Sequence, residues 1–293
     1  LSRAARVLHI VQPALTQQVQ QLEEELGASL LHRSAQGMQA TDAGKIFYQH
    51  ALAILKQVAD AKSAVNQSTD KPSGTVALGI PQSASGALAF PLLTAVRAAY
   101  PDIVFQLTEE LTGNLTEQLA SGRLNLAILF DDGQLGKFNT KPLVEEQMMY
   151  ITRTNSQFAC KRKSINLDKV LQAPLILPSI QHGVRPRIEQ VVREQGRQIE
   201  NVIDITSIAI LKSAILADMG ATILPVSPLL AEIERGEMRA CPISDVQLSR
   251  TVSLCSSKNI PLTNAAMAVE RLVLDVSRDL CASGSWLGTK SLM

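Results

Sequence analysis

Side-chain amides are concentrated in one short stretch, "VQPALTQQVQQLEEELG", residues 11–27, which carries five glutamines within ten positions. A glutamine can form two hydrogen bonds to adenine in the DNA major groove, and a threonine can contact a thymine methyl or a base edge. Gln12, Thr16, Gln17 and Gln20 lie off the apolar stripe of this stretch and could contact bases together. Because glutamine is also a good neutral helix former, the glutamines alone favour an ordinary solvated surface.

The elements around these residues shift the interpretation towards DNA. Residues 2–8 predict a short helix with Ser2 as its N-cap, and residues 9–11 predict a tight turn. Pro13 suits the first turn of a second helix, where its missing N–H costs no hydrogen bond. Apolar side chains then recur at helical spacing, which predicts one buried stripe: Leu15, Val19, Leu22 and Leu26. Such a helix-turn-helix reads bases with the N-terminal end of its second helix, and the candidate contact residues are Ser2, Gln12, Pro13, Thr16, Gln17 and Gln20.

The stretch after Gly27 predicts a β-wing that completes a DNA-binding domain over residues 1–40. Leu30–Arg33 reads as a short strand, with a turn at Gln36–Gly37 and a returning strand at Met38–Ala40. Arg33 could pair with a DNA phosphate, and a solvated surface charge is an equally good interpretation of Arg33 by itself.

A long helix is predicted over residues 41–67, followed by a polar linker at 68–74. Its apolar positions repeat with a period of 3.5 residues: Phe47, Ala51, Ile54, Val58, Ala61 and Val65. A seam this regular favours a partner helix, and a second copy of the chain is the expected partner. The alternative is a helix packed only inside its own domain.

From Thr75 onwards, strands and helices alternate, which predicts an α/β fold with a largely parallel sheet. Hydroxyl groups follow several predicted strands, where open α/β sheets bind ligands: Ser83, Ser85, Ser179, Thr206 and Ser207. Asp131, Asp132 and His182 lie in loops of the same kind. Hydroxyls beside helix N–H groups suit a small anion, whereas simple helix capping explains any single one of them.

Composition excludes several other classes of protein. The net charge is +1, and the four cysteines form no CxxC pair, so neither a basic polyanion binder nor a zinc ribbon is indicated. Nucleophile-elbow, phosphate-loop, dinucleotide and zinc-protease motifs are absent from the sequence, so we expect neither an enzyme nor a cofactor or metal. No apolar run reaches the length of a membrane helix, and no signal peptide is recognisable. The opening residues lack a starting methionine and begin in mid-pattern, as a truncated chain would.

The order of helix-turn-helix, wing, long helix, linker and α/β domain resembles the LysR-type transcriptional regulators. The match is carried by "SRAARVLHIVQPALTQQVQQLEEELGASLLHR" and "ATDAGKIFYQHALAIL", and more loosely by "GTVALGI", "LASGRLNLAIL" and "ADMGATILP". Within that family, "VLHIVQPALTQQV" and "TDAGKIFYQHA" look similar to the nitrogen assimilation control and sulfur-regulator subgroup.

The resemblance implies two effector subdomains similar to periplasmic solute-binding proteins. Subdomain I would comprise residues 75–143 and 249–280, and subdomain II residues 144–248. Residues 281–293 show no periodic pattern, which predicts a mobile tail. A small-molecule effector would bind between the subdomains, and the matching positions are Ser83, Ser85, Phe130, Ser179, Thr206 and Ser207.

The resemblance further implies a cytoplasmic DNA-binding protein that pairs into homodimers and homotetramers and contacts RNA polymerase. It also implies a first helix before Leu1. The charge pattern fits less well, because residues 1–70 hold six basic and six acidic side chains, which predicts modest DNA affinity per monomer. A solute-binding protein and an enzyme on an α/β scaffold are the alternatives. Residues 1–70 count against the first, and the absence of a nucleophile, metal or phosphate-loop motif counts against the second.

Overall fold

The computed structural model describes residues 1–34, 37–66, 71–131, 133, 135–180 and 183–293, without the side chains of Arg33 and Asn66. The predicted turn residue Gln36, linker residues 68–70, Asp132 and His182 lie outside the described residues. The chain divides into two compact units, Leu1–Ala59 and Asp60–Met293.

The first unit is the winged helix-turn-helix that the sequence predicts. Its elements are helix α1 (Ser2–Val7), helix α2 (Gln12–Leu26), strand β1 (Leu31–Ser34), strand β2 (Gly37–Ala40) and the start of helix α3 (Asp42–Asn66). Strands β1 and β2 pair antiparallel. The apolar stripe of α2 differs from the prediction, because Leu15, Val19 and Leu22 are half-buried and Leu26 is 44% exposed.

Two local contacts fix the junction between the wing and α3. The Thr41 hydroxyl caps the helix by accepting a hydrogen bond from Gly44 N at 2.9 Å and donates to Ser29 O at 2.6 Å. At Gly44 the helix passes so close to the Leu30 carbonyl that any Cβ would collide with the Leu30 backbone. Glycine is therefore required there for space rather than for an unusual backbone angle.

The predicted seam of α3 is exposed along much of its length. Ile54 is 60%, Val58 48% and Val65 85% exposed, whereas Ala53 on the neighbouring face is buried. The described part of the chain leaves these seam residues uncovered, which is the pattern expected of a helix that pairs with another molecule.

The second unit holds the remaining elements, which follow in chain order: β3 (Gly74–Pro81), α4 (Gln82–Ala99), β4 (Ile103–Glu110), α5 (Thr112–Ala120), β5 (Leu126–Phe130), β6 (Phe138–Gln147), β7 (Met149–Arg153), α6 (Leu167–Gln172), β8 (Leu175–Pro178), α7 (Arg185–Glu194), β9 (Val202–Ile205), α8 (Ile208–Leu216), β10 (Thr222–Leu224), α9 (Leu230–Glu234), β11 (Met238–Cys241), β12 (Ser249–Ser257), α10 (Asn264–Ala282) and β13 (Thr289–Ser291). They build two α/β subdomains, each around its own hydrophobic core. The predicted fold class is thereby confirmed.

Subdomain I contains a six-stranded mixed sheet in the order β13-β6-β12-β5-β3-β4. Strands β4, β3 and β5 are parallel, so their carboxyl ends share one edge. The first half of β6 was not predicted from the sequence. Pro142 lacks an N–H and lies beside an irregularity in the pairing of β6 with β12, which is where a sheet tolerates proline.

Subdomain II contains two small sheets, β10-β7-β11 and β8-β9, and a single parallel bridge from Leu175 to Ala221 joins them. Strand β6 stays in the sheet of subdomain I through Gln147, so the chain crosses at Met148 rather than near Val144 as predicted. The chain returns into β12, which begins at Ser249. The two crossings lie side by side, because Met148 N donates to Leu248 O at 2.9 Å.

The expectation of a mobile tail over residues 281–293 is wrong. Helix α10 continues to Ala282, and the Trp286 side chain is 1% exposed in the core of subdomain I. Strand β13 then adds to the edge of β6. The sequence of this segment is rich in glycine and serine and has no periodicity, so its single buried indole was the one available signal.

Across the described residues, no helix combines the length and the apolar character that crossing a bilayer requires.

Candidate DNA interface and effector cleft

The turn between α1 and α2 is short and well hydrogen-bonded. Ile10 N donates to Ala5 O at 3.1 Å, and His9 adopts a positive φ of 54° to close the turn. Helix α2 then begins with Pro13 in its first turn and ends at Gly27 in a left-handed conformation. These features place the N-terminal end of α2 beside the start of α1.

The structure brings six of the predicted DNA-contacting residues to one side of this helix pair. Ser2 Oγ donates to Gln12 Oε1 at 2.7 Å, which ties the start of α1 to the start of α2. Gln12, Pro13, Gln17 and Gln20 are exposed. Thr16 is half-buried, and its hydroxyl donates to Gln12 O at 3.0 Å. Because the hydroxyl is bonded within its own helix, the methyl group is the main part of Thr16 that can contact another molecule.

The wing places the Arg33 backbone in β1, opposite Met38. The Arg33 side chain lies outside the described part of the chain. Glu23 is one of the acidic residues that weaken the charge argument. Its Oε1 accepts hydrogen bonds from Leu30 N at 2.6 Å and from Leu31 N at 2.9 Å. The carboxylate therefore anchors β1 to α2 instead of acting only as a free surface charge.

A second candidate site lies in the cleft between the effector subdomains. Helices α4 and α5 begin directly after β3 and β4, and Phe130 ends β5, so their first residues share one edge of subdomain I. The loop after β8 of subdomain II touches that edge, because a Cβ at Gly183 would collide with the Phe130 ring and lie 3.1 Å from Thr112 Oγ1.

Several predicted effector residues have structural partners of their own. Ser85 Oγ donates to Gln82 O at 3.0 Å, and Ser207 Oγ caps α8 by accepting from Ile210 N at 3.4 Å. Ser83 is buried, and its hydroxyl accepts from Arg250 Nη2 at 3.0 Å. Thr206 is exposed. The capping alternative therefore describes Ser207, whereas the Ser85 hydroxyl donates to a carbonyl of its own helix and caps nothing.

Three polar atoms at these helix starts and loops are buried without a hydrogen-bond partner among the described residues: Gln82 Oε1, Thr112 Oγ1 and Ser179 Oγ. We call the Thr112 and Ser179 hydroxyls, together with the Gln82 amide, the hydroxyl cluster; they lie at the starts of α5 and α4 and directly after β8. Buried polar groups normally find partners, so these atoms are the positions where a bound polar molecule would complete the hydrogen bonding.

A fully buried ion pair lies beneath Ser83 and Phe130. Arg250 donates from Nε and Nη2 to Glu146 Oε2 at 2.9 and 2.7 Å, and both side chains are 1% exposed or less. Glu146 Oε1 accepts from Ser227 Oγ at 3.0 Å and from the Trp286 indole at 3.1 Å. The guanidinium also lies 3.4 Å from the Phe130 ring centroid.

This network joins subdomain I, the C-terminal segment and Ser227 of subdomain II at one point. Burial lowers the pKa of the Arg250 guanidinium, and the Glu146 carboxylate opposes that shift. Arg250 Nη1 is buried and has no partner among the described residues. Sequence reasoning missed Arg250 and Glu146, because their strands, FNTKPLVEEQ and SRTVSLCSS, are largely polar and give no sign that these two charges are buried.

An open cavity of about 770 Å³ lies between the subdomains on the other side of Phe130. It is lined by both subdomains and by the crossing strands, and we call it the arginine cavity. Phe130 is the one predicted effector residue that lines it, and none of the hydroxyl cluster does. No group of residues suited to a metal ion is found within the described ranges.

Comparison with known proteins matches both units. Residues 1–45 match the family of bacterial regulatory helix-turn-helix proteins of the lysR family, and residues 69–278 match the LysR substrate binding domain. The nitrogen assimilation regulatory protein nac of Escherichia coli (strain K12) is 35% identical over 279 residues, which covers 94% of this chain and 90% of the relative. The regulator BbuR of Bordetella bronchiseptica is 28% identical over 287 residues, covering 98% and 88%.

Solved structures agree on the fold. A variant of full-length OxyR from Pseudomonas aeruginosa superposes with a TM-score of 0.66 at 20% identity, covering 94% of this chain and 89% of that chain. The effector-binding domain of QuiR in complex with shikimate superposes with a TM-score of 0.64 at 20% identity, covering 71% and 98%. From the two domain matches and the nac relatives, we conclude that the chain belongs to the LysR family and is a LysR-type transcriptional regulator with an effector-binding domain, rather than an enzyme.

Proposed function

We propose that the regulator reads its DNA site with the exposed N-terminal half of α2. The observation that carries this proposal is the row of Gln12, Gln17 and Gln20 on one exposed side of α2, with Ser2 bonded to Gln12 at the start of the row. Gln17 and Gln20 supply paired donors and acceptors for adenine, and Pro13 and the Thr16 methyl group supply apolar contact for thymine. Arg33 on the wing supplies a phosphate contact, which positions the protein without reading sequence.

Substitution of Gln17 tests this assignment. In Gln17→Ala we expect the preference for the specific site over random DNA to fall about tenfold, since a good bidentate base contact contributes about 1–3 kcal/mol of discrimination. Arg33→Ala should weaken binding to both DNAs about equally. The measurement is fluorescence anisotropy on the operator and on a scrambled duplex at one salt concentration.

Gln18→Ala is the matched control, because Gln18 is exposed on the same helix but points away from the row of Gln12, Gln17 and Gln20. It should leave both affinities unchanged. Equal losses on operator and random DNA for Gln17→Ala would refute the role given to α2.

The effector-binding part is proposed to take a small polar or anionic molecule at the hydroxyl cluster. The unpartnered Gln82, Thr112 and Ser179 atoms support this, and so does the approach of the Gly183 loop to Thr112. Ser83 and Phe130 would contribute through the Arg250 network beneath them. The related effector domain of QuiR holds shikimate, a carboxylate with several hydroxyls, which has the matching chemistry.

We further propose that the protein pairs twice, as homodimers through α3 and as homotetramers through the effector parts. The exposed apolar side chains of α4, Phe90 at 77% and Leu93 at 44%, suit the second surface together with Ile210 at 61% on α8. A regulator that binds chromosomal DNA acts in the cytoplasm, and contact with RNA polymerase would transmit its response. Pairing through α3 is the better supported of these proposals, because its apolar seam residues recur at coiled-coil spacing and several of them are also exposed.

A further inference from the structure

The arginine cavity carries opposite charges on its two facing walls. Subdomain I supplies two carboxylates, Asp131 after β5 and Glu145 on β6. Subdomain II supplies two guanidinium groups, Arg187 and Arg193, both on α7. No ion pair joins the two walls in the described part of the chain.

Each wall is held in place by hydrogen bonds that leave charge available. Glu145 Oε1 accepts from Ser249 Oγ at 2.7 Å and from Gln247 Nε2 at 3.3 Å. Arg187 Nε donates to Ser249 O at 3.1 Å, which fixes the start of its helix against the crossing strand. Arg193 is exposed, and no described residue pairs with it.

The floor of the cavity adds a buried donor. Arg250 lines the cavity, its side chain is 1% exposed, and its Nη1 has no partner in the described residues. Glu146 balances the charge of Arg250, so the guanidinium contributes N–H groups there without adding net charge. A ligand with a carboxylate oxygen would satisfy these donors as well as those of α7.

The charge pattern selects the class of ligand. A simple anion would be attracted by Arg187 and Arg193 but repelled by the carboxylates of the other wall. A simple cation would be attracted by Asp131 and Glu145 but repelled by the two arginines. A small molecule with one positive and one negative group satisfies both walls. The remainder of the cavity lining favours polar rather than apolar substituents, through Gln190, Gln247 and Thr251.

We propose that the arginine cavity is a binding site for a free α-amino acid with a polar side chain. The ammonium group would face Glu145 and Asp131, and the carboxylate would face Arg193 and Arg187. Such a ligand bridges the two subdomains beside the crossing strands. This site lies beyond the effector site proposed above, because Gln82, Thr112 and Ser179 do not line it, although Phe130 and Arg250 border both.

Calorimetry and thermal unfolding of the full chain test the proposal with L-serine, L-asparagine and L-glutamine as probes. At least one of them should bind and raise the melting temperature, because a ligand that binds only the folded state stabilises it. The N-acetyl derivative lacks the positive charge and the methyl ester lacks the negative charge. Both should bind at least about tenfold more weakly, since each loses one charged contact.

Two variants locate the ligand, and two serve as matched controls. Glu145→Gln keeps the acceptor for Ser249 but loses the charge, and Arg193→Gln removes one cation; each should weaken binding at least about tenfold. Arg197→Gln, whose side chain pairs with Asp168 outside the cavity, should bind normally. Ser179→Ala, in the hydroxyl cluster, should also bind normally.

Absence of binding by all three amino acids at millimolar concentration would overturn the proposal. Equal binding of the N-acetyl derivative would overturn it in favour of a site for simple anions. Loss of binding in Ser179→Ala with retention in Arg193→Gln would move the ligand to the hydroxyl cluster. Operator binding by every variant is measured in parallel, so failure of this inference is distinguishable from failure of the DNA-reading proposal.

Discussion

At the scale of single residues, the informative side chains are those whose buried polar atoms have no hydrogen-bond partner among the described residues. Thr112 and Ser179 are informative because their buried hydroxyls have no described partner, and Arg250 because one of its nitrogens has none. Ser85 and Ser207, which look equivalent in sequence, bond their own helices. Sequence alone could predict that hydroxyls follow the strands, but it could not tell a capping hydroxyl from an unpartnered one. That difference depends on contacts between residues that are distant along the chain.

The Arg250–Glu146 pair should show strong coupling at this scale. Arg250→Gln leaves the Glu146 carboxylate buried without its counter-charge, so we expect a loss of about 3–5 kcal/mol in the free energy of unfolding. The double variant with Glu146→Gln should lose less than the sum of the two single variants. Urea unfolding of the effector part measures all three.

An exposed pair supplies the control for that cycle. Arg278→Gln removes the contact with Asp275, where both side chains are more than half exposed, and should change stability by less than about 1 kcal/mol. Additive losses for Arg250 and Glu146 would show that the buried pair is not coupled.

Helices and strands with strong apolar periodicity were predictable from the sequence. Strands that form only through pairing with a neighbouring strand were not. The helices α1, α2 and α3 and the strands β3 to β5 follow from apolar spacing. The first half of β6 and all of β13 do not, because Pro142 and the glycine-rich tail carry no strand pattern. Both segments form strands because their backbones hydrogen-bond to neighbouring strands. The local sequence of each segment does not predict this pairing with a distant strand.

Helix α3 gives the sharpest prediction for an element. Val58→Asp places a charge in the exposed seam and should convert dimers to monomers, because two carboxylates would face each other across a paired helix. Operator affinity should fall by about two orders of magnitude with the lost avidity. Analytical ultracentrifugation and DNA binding measure the two effects.

Ala59→Asp is the control for that substitution, because Ala59 is also exposed but lies outside the seam. It should stay dimeric. A dimeric Val58→Asp protein would rule out α3 as the pairing element.

At the scale of the whole molecule, the two proposed ligand sites would lie along one cleft. Gly183 and Phe130 both line the arginine cavity, Gly183 also approaches Thr112 of the hydroxyl cluster, and Phe130 stacks on the buried Arg250. The fold and the family were predictable from sequence. The second site was not, because its walls come from β6, α7 and the loop after β5, which are far apart along the chain.

A screen of small carboxylates and polyhydroxy acids against the full chain should yield a ligand of the hydroxyl cluster. It should raise the melting temperature in the unchanged protein and in Arg193→Gln. The effect should disappear in Ser179→Ala, where one of the unpartnered groups is missing. The fluorescence of Trp286 provides a second readout, because it is the only tryptophan and its indole bonds Glu146. A ligand whose effect survives in Ser179→Ala would place the site elsewhere.

The adjacent crossings at Met148 and Leu248 limit what either ligand can communicate. Two connecting strands held together by a backbone hydrogen bond of 2.9 Å permit rotation about a shared axis and resist sliding. We therefore expect the angle between subdomains I and II to be the main variable that a ligand changes. Chemically different ligands that set the same angle are equivalent to the DNA-binding part, and ligands that set different angles compete. We therefore expect the DNA-binding part to respond to that angle and not to the chemical identity of the bound ligand.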